Sequence, residues 1–312
     1  MTIKKSQRVS YGETLVKLAA ENPNIVDLEA DLCKSTMGIL FEQAHPDRFL
    51  EMGIAEANMI SVAAGLSLTG KIPFAASFAV FATGRTYDQI RTSVCIPKLN
   101  VKICGSSTGL SDFGDGSTHQ MVEDIAMMRV LPNMQVFAPA DAVETAKIVK
   151  YMAENNGPMY IRLDRNDLPV VTSEDEEFVP GKIYKLHDGS DIAVFACGVM
   201  VYKALEAAEI LKEKGISVAV YNTPSIKPID EEAVAEACSK VKAVVTAEDH
   251  SMYGGLGSLI SEIICRHGVG KKVKMVAVQD KFGTSAEDYE KLLAYYGLTV
   301  DAIVDSAEEL LR

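Results

Sequence analysis

Two periods of apolar residues take turns along this 312-residue chain. Residues 11–21 carry apolar side chains at helical spacing, and residues 25–31 then read as a strand. Glu56 stands near the start of a small-residue run, 60–68, whose Ala, Ser and Gly allow close approach and predict a helix packed on both sides. A strand over 72–77, a helix through 85–91 and a strand over 100–104 follow. The pattern then predicts a helix over 122–130, a strand over 134–138, a helix over 142–153 and a strand over 159–163. It breaks between Asn166 and Gly189, where Pro169, Pro180 and Gly181 flank the acidic run 173–177. Strands over 192–196, 217–221, 243–248 and 272–278 then alternate with helices over 202–214, 231–238 and 256–267, before terminal helices over 286–296 and 301–311. Such alternation implies mostly parallel sheets covered by helices. The expected fold class is α/β with two domains, 1–168 and 190–312, joined by a linker over 169–189.

Composition narrows the function classes. Hydrophobic residues make up 48% and charged residues 24%, an ordinary balance for a globular protein. The net charge of -12 argues against nonspecific nucleic-acid binding, which needs a basic stripe. No apolar run reaches the ~18 residues of a membrane span. Residues 1–6 are basic but lack the apolar core of a secretory signal, so a cytoplasmic location is expected. The six cysteines (33, 95, 104, 197, 238 and 265) show no C-x-x-C spacing, and Cys95, Cys104 and Cys197 sit in apolar surroundings suited to buried free thiols.

Several residues stand out chemically, each with a plainer alternative. Glu56 is a lone carboxylate in an apolar stretch: burial requires a proton or a partner, and the alternative is a helix-start acid facing water. Phe78 and Phe81, three apart, line either a core or a pocket at the start of a helix. His119 closes the loop 106–120 and is one of five histidines; the others (45, 187, 250 and 267) lie in less distinctive contexts. Gly254-Gly-Leu-Gly257 lacks the G-x-G-x-x-G spacing of a dinucleotide site.

Three stretches, Gly53-Ile-Ala-Glu-Ala-Asn-Met59, Pro73-Phe-Ala-Ala-Ser-Phe-Ala-Val-Phe81 and Gly114-Asp-Gly-Ser-Thr-His-Gln120, make the chain resemble the pyrimidine-binding half of a transketolase. The resemblance runs over essentially the whole chain and extends to the C-terminal domain, whose strand-to-helix turn 248–257 resembles. It implies thiamine diphosphate as cofactor, with Glu56 at a pyrimidine nitrogen and Phe78 and Phe81 lining the ring pocket, Phe81 the stacking partner. His119 would assist proton transfer and Asp115 would contact a sugar hydroxyl, while Arg8, Ser35 and Arg165 would grip the sugar phosphate. Asp31 matches an acid near the cofactor at a subunit interface.

Thiamine enzymes hold Mg2+ and diphosphate with a Gly-Asp-Gly followed about 25–30 residues later by an asparagine. Residues 139–144 here are Pro-Ala-Asp-Ala-Val-Glu, so Gly114–Gly116 reads as a substrate loop and the diphosphate motif as missing. The resemblance therefore implies the C-terminal subunit of a two-chain enzyme, active only with an N-terminal subunit that holds Mg2+, self-associating as α2β2 and moving a two-carbon ketol unit between sugar phosphates. Gly84 and Gly105-Ser106 depart from the family, replacing an aromatic and a histidine. A 2-oxoacid dehydrogenase β subunit, a deoxyxylulose phosphate synthase relative and a noncatalytic scaffold remain as alternatives.

Overall fold

The computed structural model describes residues 3–312; the reading of the amino terminus falls partly on Met1 and Thr2, outside those residues. A seven-stranded sheet runs Ser225–Lys227, Gln135–Phe137, Met159–Leu163, Lys102–Ser106, Ile72–Phe78, Ile25–Glu29 and Phe49–Glu51 across its width. Every pairing in it is parallel except that of the first strand. A five-stranded sheet orders Val273–Val278, Ala243–Ser251, Ile192–Ala196, Val218–Asn222 and Tyr184–His187, again parallel except for the last strand. The fold is thus α/β, with mostly parallel sheets covered by helices.

Strands such as Ile192–Ala196 and Met159–Leu163 are buried at every position, as parallel strands covered on both faces must be. One face of the larger sheet packs against Gln7–Glu21 and Ala142–Glu154 through Tyr11, Leu15, Phe74, Ile148 and Met152. The other receives Glu56–Leu68, whose Met59, Ile60, Ala63 and Ala64 are buried. Side chains accept the first-turn amide hydrogens at several helix starts: Ser6, Asp141, Asp230, Asp288 and Thr299.

Three details differ from the periodicity. Residues 80–95, expected to start a helix at 85, already wind from Val80, in wide i→i+5 turns over Val80–Gly84 and Ile90–Cys95. Phe78 ends its strand instead of opening that helix. The segment 169–189 is held at both ends: Asp167–Pro169 pairs with Lys4–Ser6, and Tyr184–His187 edges the second sheet. Between them, Val171 and Thr172 amides donate to Asp141, each at 2.7 Å, and the Phe178 ring lies 5.5 Å from both Phe137 and Tyr151. Cys95, Cys104 and Cys197 are buried and free, as their surroundings predict. No helix among the described residues is long and apolar enough to cross a membrane.

The second half also reaches into the first, since Ser225–Lys227 completes the larger sheet. A buried polar seam joins the two. Arg162 donates to Asp124 at 2.9 and 3.2 Å and to the Asp249 carbonyl at 3.0 Å. Asp249 accepts the Leu110 amide at 3.0 Å, and the Tyr289 hydroxyl donates to Asp164 at 2.7 Å. Gly109 takes a left-handed turn there, and a Cβ at this position would collide with the Asp249 carboxyl, so both constraints call for glycine. Asn222 donates to Glu144 at 2.8 Å.

Burial pushes the Asp249 carboxyl up to about 7 against the pull of Arg162, and burial likewise pushes Glu144 up to about 7. Both folded-state values lie above the unfolded one, so the folded chain binds these protons more tightly. Their contribution is complete below about pH 4 and is lost as pH rises through about 7. Asp249→Asn removes one such group. The stability of wild type relative to this variant should therefore decline between about pH 4 and about pH 7 in chemical unfolding; parallel pH profiles would contradict the assignment.

Candidate active site

The predicted residues gather along the carboxyl ends of the parallel strands. Phe78 ends Ile72–Phe78, Arg165 lies two residues past Met159–Leu163, and Asp31 lies two past Ile25–Glu29. That edge is where open parallel sheets leave room for ligands.

Glu56 is the first residue of its helix yet only 4% exposed, which excludes an acid facing water. Its partner is Arg85, whose Nη1 donates to Oε1 at 3.1 Å. Arg85 is half exposed, and its guanidinium lies 4.0 Å from the Phe81 ring centroid. Phe81 and Phe78 stack at 6.2 Å with planes 19° apart. His119 stands edge-on to both, at 5.4 Å from Phe81 and 6.2 Å from Phe78, and its Nδ1 is 2.9 Å from the Thr118 hydroxyl. Beyond Phe78, the Arg165 guanidinium approaches the ring at 5.6 Å and donates to Asp112 at 2.9 Å. Arg8 closes the row, donating to the carbonyl of Arg165 at 2.7 Å and to the carbonyl of Ser35. Residues from across 157 positions of sequence thus form one contiguous strip, a carboxylate at one end and two guanidiniums at the other.

The guanidinium end carries the signs of an anion site. Burial, and then the neighbouring charge of Arg165, lower the Arg8 pKa from its ordinary value. The buried Nε–H of Arg8 has no acceptor within the protein. Asp112 offsets part of this charge; burial raises its carboxyl, with Asp115 on the same loop adding to the rise and Arg165 opposing it. Asp115 and Asp31 are both exposed. Asp31 adopts a left-handed backbone, and its amide donates to Glu51 at 2.8 Å.

The loop that carries His119 is anchored from the second domain. Gln120 donates to the carbonyls of Asp112 and Thr284 at 3.1 and 3.0 Å, and Ala286 donates to the Phe113 carbonyl at 2.7 Å. Gly116 packs so closely on Ser285 that a Cβ would press against it. Elsewhere, Glu248 accepts the first amides of Leu256–Arg266 at 2.7 and 2.8 Å, so the Gly254–Gly257 turn is a self-capped helix start. His250 is buried against Ala126, and His45, His187 and His267 bond to backbone or surface acids.

Three members of the site escape a reading of sequence. Arg85 carried a signal, four residues after Phe81 and thus on the same helical face. Asp112 lies in an irregular loop with no periodicity to place it. Glu51 accepts the amides of both Asp31 and Gly53 at 2.8 Å, fixing the turn before Glu56, and nothing local marks it.

The pyrimidine-binding domain model of transketolases matches residues 4–171, and the transketolase C-terminal domain model matches residues 181–303. A solved split-gene transketolase, described as an inactive β4 tetramer, superposes with a TM-score of 0.88 at 48% identity over 98% of both chains. A Methanocaldococcus jannaschii chain, provisionally described as a transketolase C-terminal section, is 44% identical over 99% of this chain and 97% of its own length. The 6-deoxy-6-sulfo-D-fructose transketolase subunit of a Clostridium species is 41% identical, over 97% of this chain and 94% of that one. The chain belongs to the transketolase family and corresponds to its C-terminal section, the pyrimidine-binding and C-terminal domains that split members carry as a separate chain.

Proposed function

We propose that this chain is the pyrimidine-side subunit of a two-chain, thiamine diphosphate-dependent transketolase that moves a two-carbon ketol unit between sugars with an anionic end. The observation that carries the reading is the strip itself. A buried carboxylate, an aromatic pair, a histidine and two guanidiniums follow one another in the order that cofactor ring, reacting carbons and anionic tail require. The pyrimidine half of the cofactor fits the chemistry at one end: Glu56 is buried and already held by a planar N–H donor stacked on Phe81.

When bound, thiamine diphosphate supplies the nucleophilic carbon on which the two-carbon unit is carried. Glu56, secluded from water, would share a proton with the pyrimidine ring nitrogen. Phe78 and Phe81 fix the plane of that ring. His119, against both aromatics, exchanges a proton with a substrate hydroxyl or carbonyl. Arg8 and Arg165 bind the phosphate, with Ser35 alongside and Asp115 facing a sugar hydroxyl. A sulfonate, as named for the Clostridium relative, presents the same oxygens to these donors.

Mg2+ and the diphosphate belong, in this reading, to an N-terminal subunit. Gly116 packs against Ser285, in keeping with a substrate loop, and no asparagine stands at the spacing of a metal motif. Self-association of this chain draws support from the β4 tetramer of the split-gene neighbour, and that tetramer's inactivity is in keeping with a need for a second kind of chain, as in an α2β2 assembly.

Glu56→Gln keeps the size of the side chain and removes the shared proton. In the complex reconstituted with its partner, hydrogen–deuterium exchange at the thiazolium carbon should slow by roughly 10²–10⁴-fold. Exchange near the wild-type rate would remove Glu56 from this role.

Loss of one charge-assisted hydrogen bond at an anion site costs about 1.5–3 kcal/mol. Arg8→Ala and Arg165→Ala should each raise KM for phosphorylated ketoses by about 10- to 150-fold. An unphosphorylated ketose should show little change. Equal losses on both substrate types would assign the arginines to structure alone.

A further inference from the structure

The Arg85 guanidinium meets two groups at once: it donates to Glu56 Oε1 at 3.1 Å and lies over the Phe81 face at 4.0 Å. Those are the two groups through which this site would hold an aminopyrimidine, one at the ring edge and one at the ring face. A guanidinium is planar, delocalised and rimmed with N–H donors, so it can meet the same pair of demands, an edge donor and a ring face. Both occupants cannot be present together. We propose that Arg85 is an internal stand-in for the aminopyrimidine, occupying its place in the unliganded chain and swinging into solvent when the ring enters. The inference rests on the reading of Glu56 as the pyrimidine-side carboxylate.

The surroundings suit a side chain that leaves. Arg85 is 51% exposed, against 4% for Glu56, so the guanidinium gives up little burial in moving outward. It follows Gly84, where a Cβ would meet nothing within 4 Å, and it sits between two wide helical turns. Wide turns of this kind re-aim side chains and recur at functional sites. An ion pair with one partner half in water is screened, so the stand-in is easily displaced. Its effect is to reduce the fraction of chains competent to bind, and apparent affinity falls by that fraction.

The arrangement also resolves the burden of Glu56. A secluded carboxylate without a partner would be costly, and Arg85 supplies a partner until the cofactor ring takes over. A hydrophobic residue there would leave the carboxylate exposed to whatever cation diffuses in.

The test uses this chain reconstituted with its partner, titrated by calorimetry with thiamine diphosphate and Mg2+. Arg85→Met keeps an apolar stem and removes the planar cation; it should bind the cofactor about tenfold more tightly than wild type. Arg85→Lys, which retains charge without the plane, should fall between them. Adding Glu56→Gln to Arg85→Met should abolish the gain. If Glu56→Gln weakens cofactor binding and Arg85→Met binds no better than wild type, the stand-in is wrong while the pyrimidine site survives. If Glu56→Gln binds the cofactor as tightly as wild type, both the stand-in and the pyrimidine reading of Glu56 are overturned.

Discussion

A carboxylate secluded from water at the edge of a parallel sheet needs a partner, and much of this molecule can be understood from how Glu56 obtains one. The small-residue helix behind it packs tightly enough to keep solvent away, through Met59, Ile60, Ala63 and Ala64. Glu51 fixes the turn in front of it by accepting two backbone amides. Arg85 then neutralises it from the open side while resting on Phe81. In the proposed reading, this enclosed carboxylate passes from Arg85 to the thiamine pyrimidine as its partner.

The second domain contributes to the site without lining it with catalytic groups of its own. Thr284, Ser285 and Ala286 hold the loop that carries Asp112, Asp115 and His119, and Asp249 fixes its entry through Leu110. The seam beneath is built from buried, mutually bonded polar groups, with Arg162 bonded to both Asp124 and Asp249. Breaking one member of such a pair costs about 3–5 kcal/mol, so the two halves are expected to hold their relative position firmly. Loop geometry, and with it the spacing between His119 and the aromatic pair, depends on that docking.

Most of the architecture was legible in the sequence because parallel strands covered on both faces read as continuous apolar runs, and their helices as amphipathic ones. The strand Ser225–Lys227 was not legible: three residues between prolines offer no period, and its pairing partner lies in the other half of the chain. The site was legible in pieces. Glu56, Phe78, Phe81, His119, Arg8 and Arg165 carried motif signals, and the structure brings them into one row. Asp112 and Glu51 were not singled out, because their meaning lies in contacts across 53 and 20 positions that no local spacing encodes; Arg85 had a local signal in its spacing from Phe81, but its pairing with Glu56 spans 29 positions. Ser35 was expected to meet phosphate through its side chain; its observed tie to Arg8 runs through the backbone carbonyl, which a residue type does not announce.

The central claim is that this chain holds one half of a cofactor site and that the other half lies on a separate subunit. Calorimetric titration of thiamine diphosphate with Mg2+ tests it most directly, first into this chain alone and then into this chain with a partner bearing the Gly-Asp-Gly and asparagine motif. The account predicts negligible binding to the isolated chain, and binding together with ketol transfer once the partner is added. Cofactor binding and turnover of xylulose 5-phosphate by the isolated chain would contradict it.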